Sequence, residues 1–147
     1  MNPKPIEILL VEDNPNDMEL AMYAFRKQNL GVCIQVARDG AEALDYLFGA
    51  RVQPGYIEVE FPKVILLDLK LPKVDGLEVL RQVKGDARTC RIPVVMLSSS
   101  RREQDINQCY ALGASSYIVK PIDFEQFIEV ANVLSTYWLQ YNQPPIT

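Results

Sequence analysis

The sequence predicts a doubly wound α/β fold, a five-stranded parallel sheet with helices on both faces. Three observations point there. Short apolar runs alternate with segments of helical period from one end of the chain to the other. The run Val64–Leu67 is apolar at every position, as a strand covered on both faces must be, and it stops abruptly at Asp68. No linker, internal repeat or low-complexity stretch divides the 147 residues, a length that suits one domain.

The elements follow in order. Ile6–Val11 reads as the first strand. Asn14 then caps a helix with Pro15 at its first position, and Met18, Ala21, Met22 and Phe25 form its buried stripe. Gly31 leads into a second strand at Val32–Val36. Asp39 and Glu42 have capping-box spacing and open a helix that buries Leu44, Leu47 and Phe48. The turn-rich stretch from Gly49 to Pro62 reads as a surface insertion with an extended piece at Tyr56–Phe61. After the third strand, Val64–Leu67, comes a turn through Leu71–Gly76. A helix over Leu77–Lys84 follows, with Leu77, Leu80 and Val83 inward. Pro93 starts the fourth strand, Val94–Leu97, which runs into Ser98, Ser99 and Ser100. Glu103–Leu112 is a helix stopped by Gly113, and Tyr117–Val119 is the fifth strand. Asp123 caps the last helix, with Gln126 at the answering position.

Composition removes several kinds of chemistry. Histidine is absent, which excludes Ser–His–Asp and Cys–His catalysis and histidine metal ligation. Cys33, Cys90 and Cys109 are scattered and odd in number, so they read as free thiols of a cytoplasmic protein. The N-terminus lacks the apolar core of a signal peptide, and no apolar run approaches the ~20 residues needed to cross a bilayer. Net charge is −4 with no basic block, so direct nucleic-acid binding has no electrostatic footprint.

The chemistry lies at the strand ends. In doubly wound sheets the site sits beyond the carboxyl ends of the strands, near the switch in strand order. Those ends carry Glu12 and Asp13, then Asp68, then Ser98, then Lys120. With a strand order of 2-1-3-4-5 these side chains converge on one pocket. Singly, each has an ordinary explanation as a helix-start acid, a turn cap, a strand-end serine or a surface lysine. Their joint occurrence at successive strand ends does not. Clustered carboxylates ~4 Å apart repel by about 4 kcal/mol at an effective dielectric near 20, so a cation belongs among them. Hard oxygen ligands without histidine or thiolate favour Mg²⁺. The same set suits phosphoryl transfer, with a carboxylate nucleophile, a lysine to neutralise charge and a hydroxyl to donate a hydrogen bond.

The segments Ile8–Asp13, Leu66–Pro72 and Gly113–Pro121, with Pro93–Ser99 as a hydroxyl-bearing fourth strand, resemble the response-regulator receiver family. The resemblance covers nearly the whole chain and implies a flavodoxin-like (βα)5 fold. Residues 1–147 would form a single receiver domain, with a loop insertion at about 49–63 and an extended C-terminal helix. It further implies that Asp68 is the phosphoacceptor. Glu12, Asp13 and Asp68 would hold Mg²⁺ together with the Lys70 backbone carbonyl. Ser98 would be the switch hydroxyl, Tyr117 the aromatic rotamer switch and Lys120 the phosphate-contacting lysine, followed by a cis bond to Pro121. Within the family the chain looks most like the single-domain regulators that partner bacterial phytochromes, given its long loop and its Tyr137-Trp138-Leu139 ending. Ser98 stands where threonine is commoner, a second serine follows it, and Lys70 places a flexible cation beside Asp68.

A chain without histidine needs an external phosphodonor, a sensor histidine kinase in trans. The sequence runs only shortly past the last helix, so no attached output domain is expected and signalling by protein–protein contact is. On that helix Phe124, Phe127, Ile128, Ala131, Leu134 and Trp138 form the expected core stripe. A second stripe of Val130, Val133, Tyr137 and Tyr141 lies about 100° round the helix and, with Tyr110 and Tyr117, suggests a homodimer or partner surface. Three other readings compete. A Mg²⁺-dependent aspartyl-phosphate phosphatase needs a second acid two residues past the nucleophile, where this chain has Lys70. A flavin carrier of the same topology needs a phosphate loop after the first strand, where Glu12, Asp13 and Asp17 would repel one. A degenerate receiver that binds without phosphorylation is disfavoured by the full residue set.

Overall fold

The computed structural model describes residues 6–29, 31–49 and 61–145. In chain order these form β1 (Ile8–Val11), α1 (Pro15–Gln28), β2 (Ile34–Ala37), α2 (Gly40–Phe48), β3 (Val64–Leu67), α3 (Gly76–Gly85), β4 (Val94–Ser98), α4 (Glu103–Ala111), β5 (Ser116–Val119) and α5 (Phe124–Thr136), which runs on into a π turn at Tyr137–Tyr141. The five strands are all parallel, in the order β2-β1-β3-β4-β5, as expected. Most of the stretch read as a surface insertion lies outside the described residues, its extended piece almost entirely.

Two-residue alternation along the central strands builds a core on each side of the sheet. Leu9, Val11, Ile65, Leu67, Val94 and Met96 face one layer, where they meet Ala43 and Leu47 of α2, Val79, Leu80 and Val83 of α3, and Cys109 of α4. Ile8, Leu10, Val64, Leu66, Val95 and Leu97 face the other, against Met18, Ala21, Ala24 and Phe25 of α1 and Phe127, Ala131 and Leu134 of α5. Because both faces are covered, a one-residue slip would still present apolar side chains to each side. Register is therefore held by the helices and the ladder: Val11 pairs with Ala37 on one side and Leu67 on the other. Cys33, Cys90 and Cys109 are free thiols. Among the described residues no helix is long and apolar enough to cross a membrane.

Local signals act largely as the sequence indicates. Asn14 Oδ1 accepts from the amides of Asn16 and Asp17 at 2.9 and 3.1 Å, with Pro15 opening α1. Asp39 accepts from the Glu42 amide at 2.7 Å. The reciprocal half of that capping box falls one residue early, because Glu42 Oε2 accepts from the Arg38 amide at 3.4 Å. Gly113 ends the α4 connection at φ 104°, a left-handed conformation that costs glycine little.

Several boundaries and faces differ from expectation. β1 starts at Ile8 rather than Ile6, and β2 is shifted to Ile34–Ala37, because the Val32 amide is taken by Asn29 O in a turn. α3 begins at Gly76, capped by Asp75. Asp123 makes no capping hydrogen bond to α5. Phe124, assigned to the core stripe, is 57% exposed: it lies at the first residue of α5, and the buried stripe begins at Phe127. The last helix is also not uniform, since its final turn widens to π geometry, with the Asn142 amide reaching Tyr137 O at 2.7 Å. Angular positions extrapolated at 100° per residue therefore drift over Tyr137–Tyr141.

The two-layer core sets an expectation for stability. Phe25 is fully buried between α1 and the sheet, so Phe25→Ala is expected to cost about 3–5 kcal/mol. Tyr141→Ala, at a side chain 73% exposed, should cost less than about 0.5 kcal/mol. Urea unfolding followed by circular dichroism checks both, and equal losses would contradict this placement of the core.

Candidate functional site

The strand ladder brings the site together before any side chain acts. The Asp68 amide donates to Val11 O at 3.1 Å, the Glu12 amide to Ala37 O at 3.0 Å, and the Lys120 amide to Ser98 O at 2.8 Å. The residues that leave β1, β3 and β5 are thus pinned at one edge of the sheet, as their positions in the sequence suggest. Just past Asp68 the backbone is held close by α3. A Cβ on Gly76 would lie 2.2 Å from Asp68 O and 2.7 Å from Leu69 Cα, so only glycine lets α3 start against this loop.

Carboxylate oxygens of Glu12, Asp13 and Asp68 all fall within 4.8 Å of one another. Glu12 is 3% exposed and Asp68 is buried, whereas Asp13 faces solvent. The Lys120 ammonium sits among the acids, 2.5 Å from Glu12 Oε1, 3.1 Å from Asp68 Oδ2 and 3.0 Å from Asp17 Oδ2. Glu12 Oε2 accepts from the Asn14 amide at 3.1 Å, and Asp68 Oδ1 accepts from the Lys70 amide at 3.3 Å. Asp17, in the first turn of α1, is the member that sequence reasoning did not assign to the site. As an acid at a helix start it has an ordinary role beside the macrodipole, and only the fold brings it to a lysine 103 positions away.

The electrostatics are those of an acidic site with too few cations. Burial pushes the Glu12 carboxyl up to about 7, and the hydrogen bond from Lys120 only partly opposes this. Burial also disfavours the charge on Lys120, but the Glu12 hydrogen bond and the fields of Asp68 and Glu12 outweigh it and hold the ammonium above its ordinary value. Four carboxylates face one ammonium, an imbalance that a divalent cation corrects. The donor set is all oxygen and the triad is tight enough to converge on one ion, so these residues fit a hard divalent cation.

Beside the acids, a chain of hydrogen bonds leads away from Ser98. Its side chain is buried and its Oγ accepts from the Ser100 amide at 3.2 Å. Ser100 O accepts from the Tyr117 hydroxyl at 2.8 Å, and the Ser100 hydroxyl donates to Asp105 at 2.5 Å. The Tyr117 amide in turn donates to the Tyr110 hydroxyl at 3.1 Å. Ser98 and Tyr117 are therefore joined through Ser100. The interface candidates divide: Tyr110, Val133, Tyr137 and Tyr141 are exposed, while Val130 and Tyr117 are half-buried against the core. No cis peptide bond occurs among the described residues, so Lys120–Pro121 is trans, contrary to the expected cis form; trans remains the lower-energy state for a bond to proline by about 0.5–1 kcal/mol.

Comparison with known proteins places this geometry. The family model described as the response regulator receiver domain matches residues 8–132. The probable methanogenesis regulatory protein FilR2 of Methanothrix harundinacea is 42% identical over 96% of this chain and 88% of its own length. The crystal structure of the phosphorylated cyanobacterial phytochrome response regulator RcpA superposes with a TM-score of 0.86 at 38% identity, covering 97% of this chain and all of RcpA. The bacteriophytochrome response regulator AtBRR is 50% identical over 96% of this chain and all of its own, with a TM-score of 0.69. An acidic triad at the carboxyl edge of a 2-1-3-4-5 sheet, with a match over nearly the whole chain, shows that this protein belongs to the response regulator receiver domain family.

Proposed function

We propose that Asp68 accepts a phosphoryl group from a sensor histidine kinase in trans, and that the phosphorylated chain signals by protein–protein contact. Membership of the receiver family makes the chain a signalling module of two-component phosphorelays rather than a turnover enzyme. The observation that carries the assignment to Asp68 is its pairing with Lys120 at 3.1 Å inside the acidic triad. In the transfer, an Asp68 carboxylate oxygen forms the new P–O bond while the P–N bond to the donor imidazole breaks and its electron pair stays on nitrogen.

Each residue then has a role. Glu12, Asp13 and Asp68, with the Lys70 backbone carbonyl, would hold Mg²⁺, which when bound neutralises charge on the phosphoryl oxygens. Lys120 places a compact positive charge on the same side of Asp68. Ser98 accepts from the Ser100 amide and keeps its own hydroxyl proton to donate to a phosphoryl oxygen. As Ser98 turns toward the phosphoryl group, Ser100 follows and the Tyr117 hydroxyl loses or shifts its acceptor, which makes Tyr117 the switch. RcpA and AtBRR are phytochrome response regulators, which supports a bacterial phytochrome as the kinase, and the free thiols of Cys33, Cys90 and Cys109 support a cytoplasmic setting. Lys70 in place of a second acid two residues beyond Asp68 argues against a phosphatase.

The exposed side chains of Val133, Tyr137 and Tyr141 favour a homodimer through the end of α5; Tyr110, exposed, and Tyr117 and Val130, half-buried, are the further candidates.

Two outcomes test this reading. Intact-mass analysis after Mg²⁺ and acetyl phosphate is expected to show one added phosphoryl group on the native chain and none on Asp68→Asn; equal labelling, or none on either, would count against it. Sedimentation velocity is expected to show a dimer that Tyr137→Ala combined with Tyr141→Ala weakens. Monomer alone, with and without a phosphoryl mimic, would remove the homodimer.

A further inference from the structure

We propose that Asp17 is a positioning residue for the phosphoryl-transfer site: it holds the Lys120 ammonium beside Asp68 when the other partners of that ammonium are drawn away. This rests on the phosphoacceptor reading of Asp68 and deepens it.

The case begins with the valence of lysine. An ammonium has three N–H donors and no acceptor. In this structure Lys120 has three carboxylate partners, Glu12 Oε1 at 2.5 Å, Asp17 Oδ2 at 3.0 Å and Asp68 Oδ2 at 3.1 Å. Hydrogen bonds from the ammonium run to Asp17 and Asp68, and Glu12 completes the set as a close ion pair. The partners are not equivalent. Glu12 and Asp68 belong to the triad whose oxygens lie within 4.8 Å of one another, and Asp17 does not. A cation in the triad would compete with the ammonium for Glu12, and phosphorylation would convert the Asp68 carboxylate to an acyl phosphate, moving its charge onto the phosphoryl oxygens. Asp17 alone keeps both its charge and its place through these changes.

Placement supports the same role. Asp17 sits in the first turn of α1, a helix whose start is fixed by Asn14 and Pro15 and whose inner face is packed through Met18, Ala21 and Phe25. Its side chain is 26% exposed, so it is neither a core group nor fully solvated, while the Lys120 side chain is 10% exposed. A long flexible side chain carries up to about 2 kcal/mol of rotamer entropy, and a fixed anion beside its head restricts that freedom before the phosphoryl group arrives. The pair also joins the β5–α5 connection to the start of α1, while Gln140 and Asn29 join the far ends of the same two helical segments at 2.8 Å. Lys120 is thereby referenced to α1 as well as to its own strand.

The test compares native protein, Asp17→Ala, Asp17→Glu and Asp68→Asn in acetyl-phosphate labelling followed by intact mass, with donor and Mg²⁺ each varied to saturation. Asp17→Ala is expected to lower the saturating rate constant at least about threefold, because a misplaced charge stabilises the transferring group less. The Mg²⁺ concentration at half-maximal rate should change by less than about twofold, since Asp17 lies outside the triad. Asp17→Glu should recover at least half of the lost rate. Thermal unfolding by circular dichroism is expected to leave the Ala variant within a few degrees of native, consistent with a partly exposed site. A native-like or faster rate in Asp17→Ala overturns the proposal, as does a loss that Asp17→Glu does not lessen or one found only as weaker Mg²⁺ dependence. Native protein that takes no label would instead sink the phosphoacceptor reading, and the role of Asp17 with it.

Discussion

One ammonium shared among clustered carboxylates, two of them buried, is the constraint on which this site depends. Lys120 lies against Glu12, Asp68 and Asp17, with Asp13 completing the acidic edge. Like charges about 4 Å apart repel by about 4 kcal/mol at an effective dielectric near 20, so the unneutralised cluster would oppose folding. Lys120 offsets part of that repulsion; burial raises Glu12 to about 7, and the field of Asp68 adds to that rise. The arrangement is acidic enough to attract a divalent cation and, on the role proposed for Lys120, still carries a positive group for an incoming phosphoryl oxygen. An apolar replacement of the cluster would suit stability better and would have no chemistry.

The rest of the fold explains how such a cluster is held. β1 and β3 pair directly, and β5 joins them through β4, so the three strands that deliver Glu12, Asp68 and Lys120 share one ladder. Apolar layers on both faces lock that ladder, with Ala24, Phe25, Leu47 and Leu80 among the side chains fully removed from solvent. Gly76 brings α3 onto the loop after Asp68. The repulsion is thereby set against the burial of two cores, not against any single contact.

What was legible in the sequence follows physical range. β3 could be bounded at Val64–Leu67 because a strand buried on both faces is apolar throughout and ends where a charge begins. The Asn14–Pro15 start of α1 was legible because its hydrogen bonds span only a few residues. β2 was misplaced by two residues at its start, because its half-buried side chains carry little pattern and its register comes from β1. Phe124 was misread because apolar periodicity cannot say where a helix stops facing the core. The triad and Lys120 were visible as residues at strand ends. Asp17 was not, since nothing local distinguishes it from any acid in a first helical turn until α1 is packed beside the β5–α5 connection.

How a charge at the strand ends reaches the surface is a matter of connectivity. Ser98, Ser100 and Tyr117 form a continuous series in which one amide and one carbonyl of the same residue carry both links. A rotation of Ser98 toward a phosphoryl oxygen cannot leave Ser100 unmoved unless its amide gives up its acceptor. An unpaired buried polar group costs about 1–3 kcal/mol, so breaking either link without a replacement partner is unfavourable. On the switch role proposed for Tyr117, its side chain would have two settings, one with its hydroxyl on Ser100 O, as in this structure, and one without it. Its amide, bonded to the exposed Tyr110, links that choice to the outer face of α4. On the reading proposed for Asp68, phosphorylation biases these two settings by the difference in hydrogen bonding between them, and the surface around Tyr110 is where a partner would sense it.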